Sequence, residues 1–431
     1  MSKSILKSCL FFFGIILFVT SCKNESETPK GLTIKNKPAL DSILNYYVDE
    51  GFYPFIHARL ENLDGSVLYE HSRVNSKLLP NTKINKDSWI RIWSMSKIIT
   101  ISIALDLIEE GLLKFDDAVA KYIPEFENLK VAVAGDGKAL TDYEWGNREN
   151  VCPIKLVSND SVMTILHLIN HEAGFYYATT GFECIDSMLA EKNIAASKNN
   201  QEFINTLAEL PLIQHPGSTD FYGINTTVLG FVAERASGKS LKELVIERVT
   251  NPMKIEGLQY GLPTEASLVP KFTGRDSILR KAVRGELDIF GEDVPDYDTE
   301  HTLYLGGEGM VATADGYADF VRMLVNHGTL NGHRFLEKAT VEDIYAPHTQ
   351  LDNAYGHNGY NLWVSGDSMR IKGQGDTGLW IGGGYESTHF WADSKRKFVG
   401  VIMSQNNAVR APGYEMNDKF RGKLYEQFFE E

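Results

Sequence analysis

Cysteine is scarce in this chain, four residues among 431, and none of the four stands in a Cys-x-x-Cys spacing. That excludes a disulfide scaffold and a cysteine-built metal centre. Positive charge is in deficit too: 43 Lys and Arg face 57 Asp and Glu, a formal net charge of −14. No local basic patch reverses the sign, so phosphate backbones are repelled and no nucleic acid partner is expected. The apolar stretch at residues 9–19 has 11 residues, well short of the roughly 20 a spanning helix needs. No internal repeat is visible, and a length of 431 suits one large domain carrying an insertion as well as about three average domains.

What is present begins with an address. Lys3 and Lys7 precede the apolar stretch, and Val19-Thr20-Ser21-Cys22 follows it. The pattern resembles a bacterial lipobox, with small residues before a cysteine that becomes a lipidated N-terminus. Residues 1–21 are therefore expected to be a signal peptide and 22–37 a tether lipidated at Cys22. Acyl chains would hold the protein to a membrane in the bacterial cell envelope, facing periplasm or exterior. Cys152 and Cys184 then remain, either paired or free.

Periodicity predicts a helix over 38–49, a hairpin from strands 55–60 and 66–70 around Asn62-Leu63-Asp64-Gly65, and a buried helix over 98–113. From 122 to 301 helical stretches (162–170, 202–207, 226–235, 241–248) alternate with polar loops. Residues 286–300 carry seven acidic side chains and no base, which reads as a solvated loop because EF-hand spacing is absent. Strand patterns return at 360–365, 369–372, 388–393 and 398–405, and a helix closes the chain at 417–430. The expected fold class is α+β, an antiparallel sheet completed by both termini and flanked by helices, with an inserted helical region. The catalytic domain would be 38–431, its α/β part 38–121 with 302–431 and its mainly helical part 122–301.

Chemistry is suggested by Ser94-Met95-Ser96-Lys97. Residues at i and i+3 share a helix face, so Ser94 and Lys97 come within hydrogen-bonding reach. A serine needs a base beside it, and a lysine desolvated at the start of a buried helix is expected to lose its proton and act as that base. The Ser-x-x-Lys spacing recurs at Ser4 and Ser394; only Ser94 has an apolar helix behind it.

Around Ser94 the chain resembles the class C β-lactamase-like serine hydrolases, a group that includes penicillin-recognising D,D-peptidases, D-aminopeptidases and carboxylesterases. The likeness rests on WSMSKII at 93–99, LDLIEEGLLKFDDAVAKYIPEF at 105–126, TILHLINHEAG at 164–174 and the long block GGEGMVATADGYADFVRMLVNHGTLNGHRFL at 306–336. It covers nearly all of 38–431 and implies a β-lactamase/transpeptidase-like fold. The family's proton-shuttling tyrosine falls on Tyr222 in FYGINTTVLG at 221–230, although no Tyr-x-Asn triplet occurs and Asn225 is left as a candidate for the missing amide. A free phenol titrates near 10, so a cation such as Lys97 must stand beside it.

The family's third element falls on Ile381-Gly382-Gly383-Gly384-Tyr385, before the strand at 388–393. The resemblance implies that Gly383, Gly384 and Tyr385 border the substrate and that the N–H groups of Ser94 and Tyr385 form the oxyanion hole. The usual cationic residue is missing, which favours an esterase or D-amino-acid peptidase over a β-lactamase or D,D-carboxypeptidase. His357-Asn358-Gly359 is read as a decoy for the third element. His167 and His171, at i and i+4, are read as structural rather than as zinc ligands. Gly306-Gly307-Glu308-Gly309, which could suggest a phosphate loop, lacks a following Gly-Lys-Ser/Thr. The expected partner is a small-molecule ester, amide or peptide, handled without metal or cofactor. The rival is a binding protein that kept the fold and lost turnover.

Overall fold

Asp64 shapes the hairpin by accepting hydrogen bonds from the Ser66 N–H at 2.9 Å and the Ser66 hydroxyl at 2.6 Å, while Gly65 takes a φ of 85°. The chain is described here by a computed structural model, which covers residues 32–274, 278–283, 285–286, 289–290, 302–351, 353–407 and 413–429. The signal peptide, Cys22 and most of the tether lie outside the described residues, as does most of the acidic stretch 286–300. Residues Ile34–Glu431 form one compact unit.

The expected first helix is α1, Lys37–Asp49, and the expected hairpin is β1, Phe55–Asn62, with β2, Val67–Val74. A short strand β3, Ile90–Arg91, leads into α2, Ser96–Glu109, and further on come α3, Asn225–Ser237, β4, Met310–Ala312, and α4, Ala314–Val325. The C-terminal strands are β5, Thr349–Gln350, β6, His357–Asn358, β7, Trp363–Val364, β8, Trp380–Gly384, β9, Thr388–Asp393, and β10, Phe398–Met403, and α5, Gly413–Phe429, follows them. One antiparallel sheet runs in the order β5-β6-β7-β8-β9-β10-β1-β2. Its seam joins the two ends of the chain, with His57 opposite Met403 and Asn62 opposite Phe398.

Both faces of this sheet are covered, which is why β9 is buried at all six positions. Trp391 meets Phe420 of α5 at 6.1 Å between ring centroids, and Tyr425 donates to Asp393 at 2.9 Å. On the opposite face Phe390 meets Tyr317 of α4 at 5.3 Å. Deeper in the molecule α2 is apolar all round and packs on α3, itself buried from Asn225 to Glu234. Their N-terminal ends bring Lys97 and Thr227 to one locus.

Three expectations need correction. Residues 369–372 are not a strand: Asp367 opens the short helix Asp367–Ile371, of which only Met369 is buried. Within 360–365 only Trp363–Val364 pairs, because Asn361 turns the backbone to a φ of 52°. The region 122–301 also holds an antiparallel pair that periodicity missed, Lys130–Val133 with Lys155–Ser158. Next to that pair, Cys152 and Cys184 are joined as a disulfide, with Cα atoms 6.0 Å apart.

Candidate active site

The turn Trp93–Met95 between β3 and α2 carries Ser94. Trp93 holds a left-handed φ of 47°, a conformation that costs of order 1–3 kcal/mol for a non-glycine residue and persists only where neighbours enforce it. Here they do. The indole N–H donates to Glu386 Oε2 at 2.5 Å, and the ring stands edge-on to Tyr385 at 5.3 Å. Gln405 donates to the same carboxylate and accepts from the Arg91 N–H at 3.0 Å, so the strand before the turn is fixed as well.

Two side chains converge on Ser94 Oγ. Lys97 Nζ donates to it at 3.1 Å and the Tyr222 hydroxyl at 2.6 Å. Lys97 is wholly buried, and its Nζ also lies within hydrogen-bonding reach of Tyr177 Oη at 2.9 Å, Gly307 O at 3.0 Å and Glu308 Oε1 at 3.2 Å, with Ser94 four acceptors sharing its N–H groups. The expectation of a lysine left neutral by dry surroundings is overturned. Burial pulls the Lys97 pKa down, but the charges and hydrogen bonds of Tyr222 and Glu308 more than reverse it, and the net direction is upward. Glu308, 1% exposed, takes further hydrogen bonds from Thr227 Oγ1 at 2.6 Å and from the Tyr177 hydroxyl. Burial, with Glu308 and Tyr222 nearby, raises the Tyr177 pKa well above its ordinary value and keeps that phenol a donor.

The glycines before Glu308 serve approach, not phosphate. A methyl group on Gly307 would lie 3.1 Å from Lys97 Nζ, and one on Gly306 would lie 2.7 Å from Thr226 O.

Tyr222 is 49% exposed, and its ring lies 4.7 Å from His171, 5.8 Å from Tyr177 and 4.9 Å from Lys97 Nζ. His171 Nδ1 accepts from Asn225 Nδ2 at 3.1 Å and the Gly223 N–H at 3.4 Å, which assigns the ring proton to Nε2, 3.2 Å from Asn361 Oδ1. Burial, then the Lys97 charge, pushes its pKa down to about 3. Asn225 is thus engaged in supporting the histidine behind Tyr222, and its amide also faces Phe175 O and Phe221 O. His167 accepts from the Thr164 N–H at 3.3 Å in a capping box. His357 lies two strands from β8 and faces Tyr345 O at 3.0 Å.

β8 reaches the nucleophile turn because its last residues are glycine. A methyl group on Gly384 would fall 2.4 Å from Ile92 O, and one on Gly382 would fall 2.4 Å from Phe390 Cε1. Gly383, Gly384 and Tyr385 are half-buried beside that turn, and Asn407 donates to the Tyr385 hydroxyl at 2.7 Å. Ser94, Lys97, Tyr222 and the end of β8 therefore meet as expected. The sequence reading missed Glu308, Tyr177 and Glu386; the one available signal was a lone charge inside Gly-Gly-Glu-Gly. The assembly places an alcohol in contact with both a lysine amine and a phenol, the kind of arrangement that can activate a serine.

The β-lactamase family profile matches residues 62–419, and the chain belongs to that family. It has the β-lactamase/transpeptidase-like fold. An uncharacterised protein of Mycobacterium tuberculosis (strain CDC 1551 / Oshkosh) is 28% identical over 259 residues, 60% of this chain and 59% of that one. This match therefore spans about six tenths of that relative's length. The lovastatin esterase of Penicillium rubens is 25% identical over 310 residues, 69% of each chain. Among solved structures, "EstCE1, a hydrolase with promiscuous acyltransferase activity" superposes with a TM-score of 0.72 at 19% identity, covering 90% of this chain and 98% of that one.

Proposed function

We propose that the protein is a serine hydrolase that cleaves a carboxylic ester, or an amide of similar shape, through an acyl-enzyme on Ser94. The observation that carries this reading is the approach of the Tyr222 hydroxyl and Lys97 Nζ to Ser94 Oγ, at 2.6 and 3.1 Å. Ser94 Oγ attacks the carbonyl carbon and gives its proton to the deprotonated Tyr222 oxygen, with Lys97 as the neighbouring cation. The oxyanion is held by the N–H groups of Ser94 and Tyr385. As the tetrahedral adduct collapses, Tyr222 passes the proton to the leaving alcohol. Water then gives Tyr222 a proton, attacks the ester on Ser94 and restores the serine. The half-exposed Tyr222 leaves this last step open to solvent.

An ester is favoured over a β-lactam because the strand segment Ile381 to Gly384 offers no cation to a substrate carboxylate. The relative named as an esterase agrees with that preference. A fluorophosphonate should label the wild type and not Ser94→Ala, and kcat/KM for p-nitrophenyl acetate should exceed that for nitrocefin and for D-alanyl amides. A folded wild type that resists the probe refutes the reading. Lipid anchoring at Cys22 is part of the same proposal: a fatty-acid analogue fed to producing cells should label the wild type and not Cys22→Ala.

A further inference from the structure

We propose that Glu308 is a positioning residue of this site: its buried carboxylate fixes Lys97 as an ammonium through the whole reaction cycle, so that Tyr222 alone exchanges protons with Ser94. The proposal rests on the hydrolase reading above.

The argument starts from what surrounds Lys97 Nζ. Ser94 faces it from the nucleophile turn, Tyr177 and Gly307 O from two loops, and Tyr222 from the segment before α3. His171 stands behind Tyr222 and is neutral above about pH 3. Among the described residues, Glu308 is the carboxylate within ion-pair distance, at 3.2 Å. An ammonium with no exposure needs a counter-charge, since burying a lone ion costs several kcal/mol. The Tyr222 oxygen can supply one only part of the time. When it takes the serine proton its charge vanishes, and a lysine matched by Tyr222 alone would then shed a proton itself.

Glu308 stands outside that exchange: it is 1% exposed, and its oxygens are satisfied by Lys97, Tyr177 and Thr227 rather than by Ser94. The three donors hold the carboxylate in place, and the glycines beside it allow the close approach. The carboxylate thus acts on the reaction through Lys97.

The test is the pH dependence of Ser94 labelling by a fluorophosphonate, compared for wild type, Glu308→Gln and Glu308→Asp. Without the carboxylate, burial draws the Lys97 pKa down, so the cation is lost as pH rises. Labelling of Glu308→Gln should fall about tenfold per pH unit on the alkaline side, and that fall should begin at a lower pH than any fall in wild type. Glu308→Asp should restore the alkaline plateau. A Glu308→Gln profile lowered by the same factor at every pH would mean a merely structural role and overturns the assignment.

Should Glu308→Gln fail to fold, the wild type itself decides. The Lys97 ¹⁵Nζ resonance, identified by its loss in Lys97→Met, should keep the ammonium shift throughout the pH range in which Ser94 is labelled; an amine shift within that range overturns the assignment. A wild type that takes no label at any pH refutes the hydrolase reading and the part given to Glu308 with it. A labelled wild type beside a parallel Glu308→Gln profile refutes the Glu308 assignment alone.

Discussion

Replacing Lys97 by methionine keeps most of the side-chain volume and deletes the charge, which isolates the ion pair with Glu308 from packing. Lys97 is fully buried and Glu308 1% exposed, with 3.2 Å between them, so neither can turn to water when its partner goes. Breaking such a pair from one side costs about 3–5 kcal/mol, because an uncompensated charge stays buried. Lys97→Met and Glu308→Gln should each approach that figure. In the double variant no charge remains, and the new amide can still meet Tyr177 and Thr227, so the cost should drop to about 1–2 kcal/mol. The assay is urea unfolding at pH 7.5 with a common m-value across the four proteins. Coupling of about 4 kcal/mol or more is expected, against the roughly 0.3–0.5 kcal/mol scatter of independent sites. A double variant whose loss equals the sum of the two single losses would refute the reasoning. Reactivity should separate from stability: the double variant should regain its fold and remain unlabelled by a fluorophosphonate, since Ser94 has lost the cation beside it.

Three further outcomes follow from the same geometry. Tyr222→Phe should lower kcat/KM by about 10²–10⁴ with an almost unchanged urea midpoint, because the half-exposed ring keeps its place between His171 and Tyr177; an equal loss of stability and rate would refute this. Acid should weaken the fold through two histidines held neutral by burial, His57 at about 4 and His171 at about 3. Their folded pKa values lie below the unfolded 6.5, so the unfolded chain binds the extra protons and stability falls as pH drops below 6.5, whereas Glu61, raised by burial to about 7, works in the opposite direction over pH 7 to 4.5. His57→Asn should remove about 3 kcal/mol of the loss between pH 7 and 4 in urea titrations, and an unaltered slope counts against the buried-histidine account. Loss of the Cys152–Cys184 bridge, which closes a 32-residue separation, should cost about 3–4 kcal/mol in the double alanine variant while leaving Ser94 labelling intact.

How much of this was legible in the sequence depends on how far apart the cooperating residues stand in the chain. Ser94 and Lys97 are a helical turn apart, so their spacing alone places them together. The hairpin around Asp64 and Gly65 and the burial of α2 are likewise local, written in turn chemistry and in an apolar run. The strand expected at 369–372 failed for a local reason too: four residues carry too little pattern to separate a strand from the single helical turn they form. The seam between β1 and β10, by contrast, pairs residues more than three hundred positions apart, and the pattern within either strand does not name its partner.

The charge state of Lys97 belongs to this second kind. From the helix alone the lysine looks desolvated, and desolvation by itself predicts an amine. Its counter-charge comes from 211 residues further on and the phenol that accepts from it comes from 80, distances over which no spacing rule operates. Burial and pairing act on the same ammonium with opposite sign, and the α2–α3 packing that buries Lys97 also brings Thr227 and the loop of Gly306 to Glu308 against it. The fold therefore cannot dry this lysine without also delivering its partner. Sequence reasoning found the chemical groups; for Lys97 it could count the water removed but not the carboxylate that replaced it.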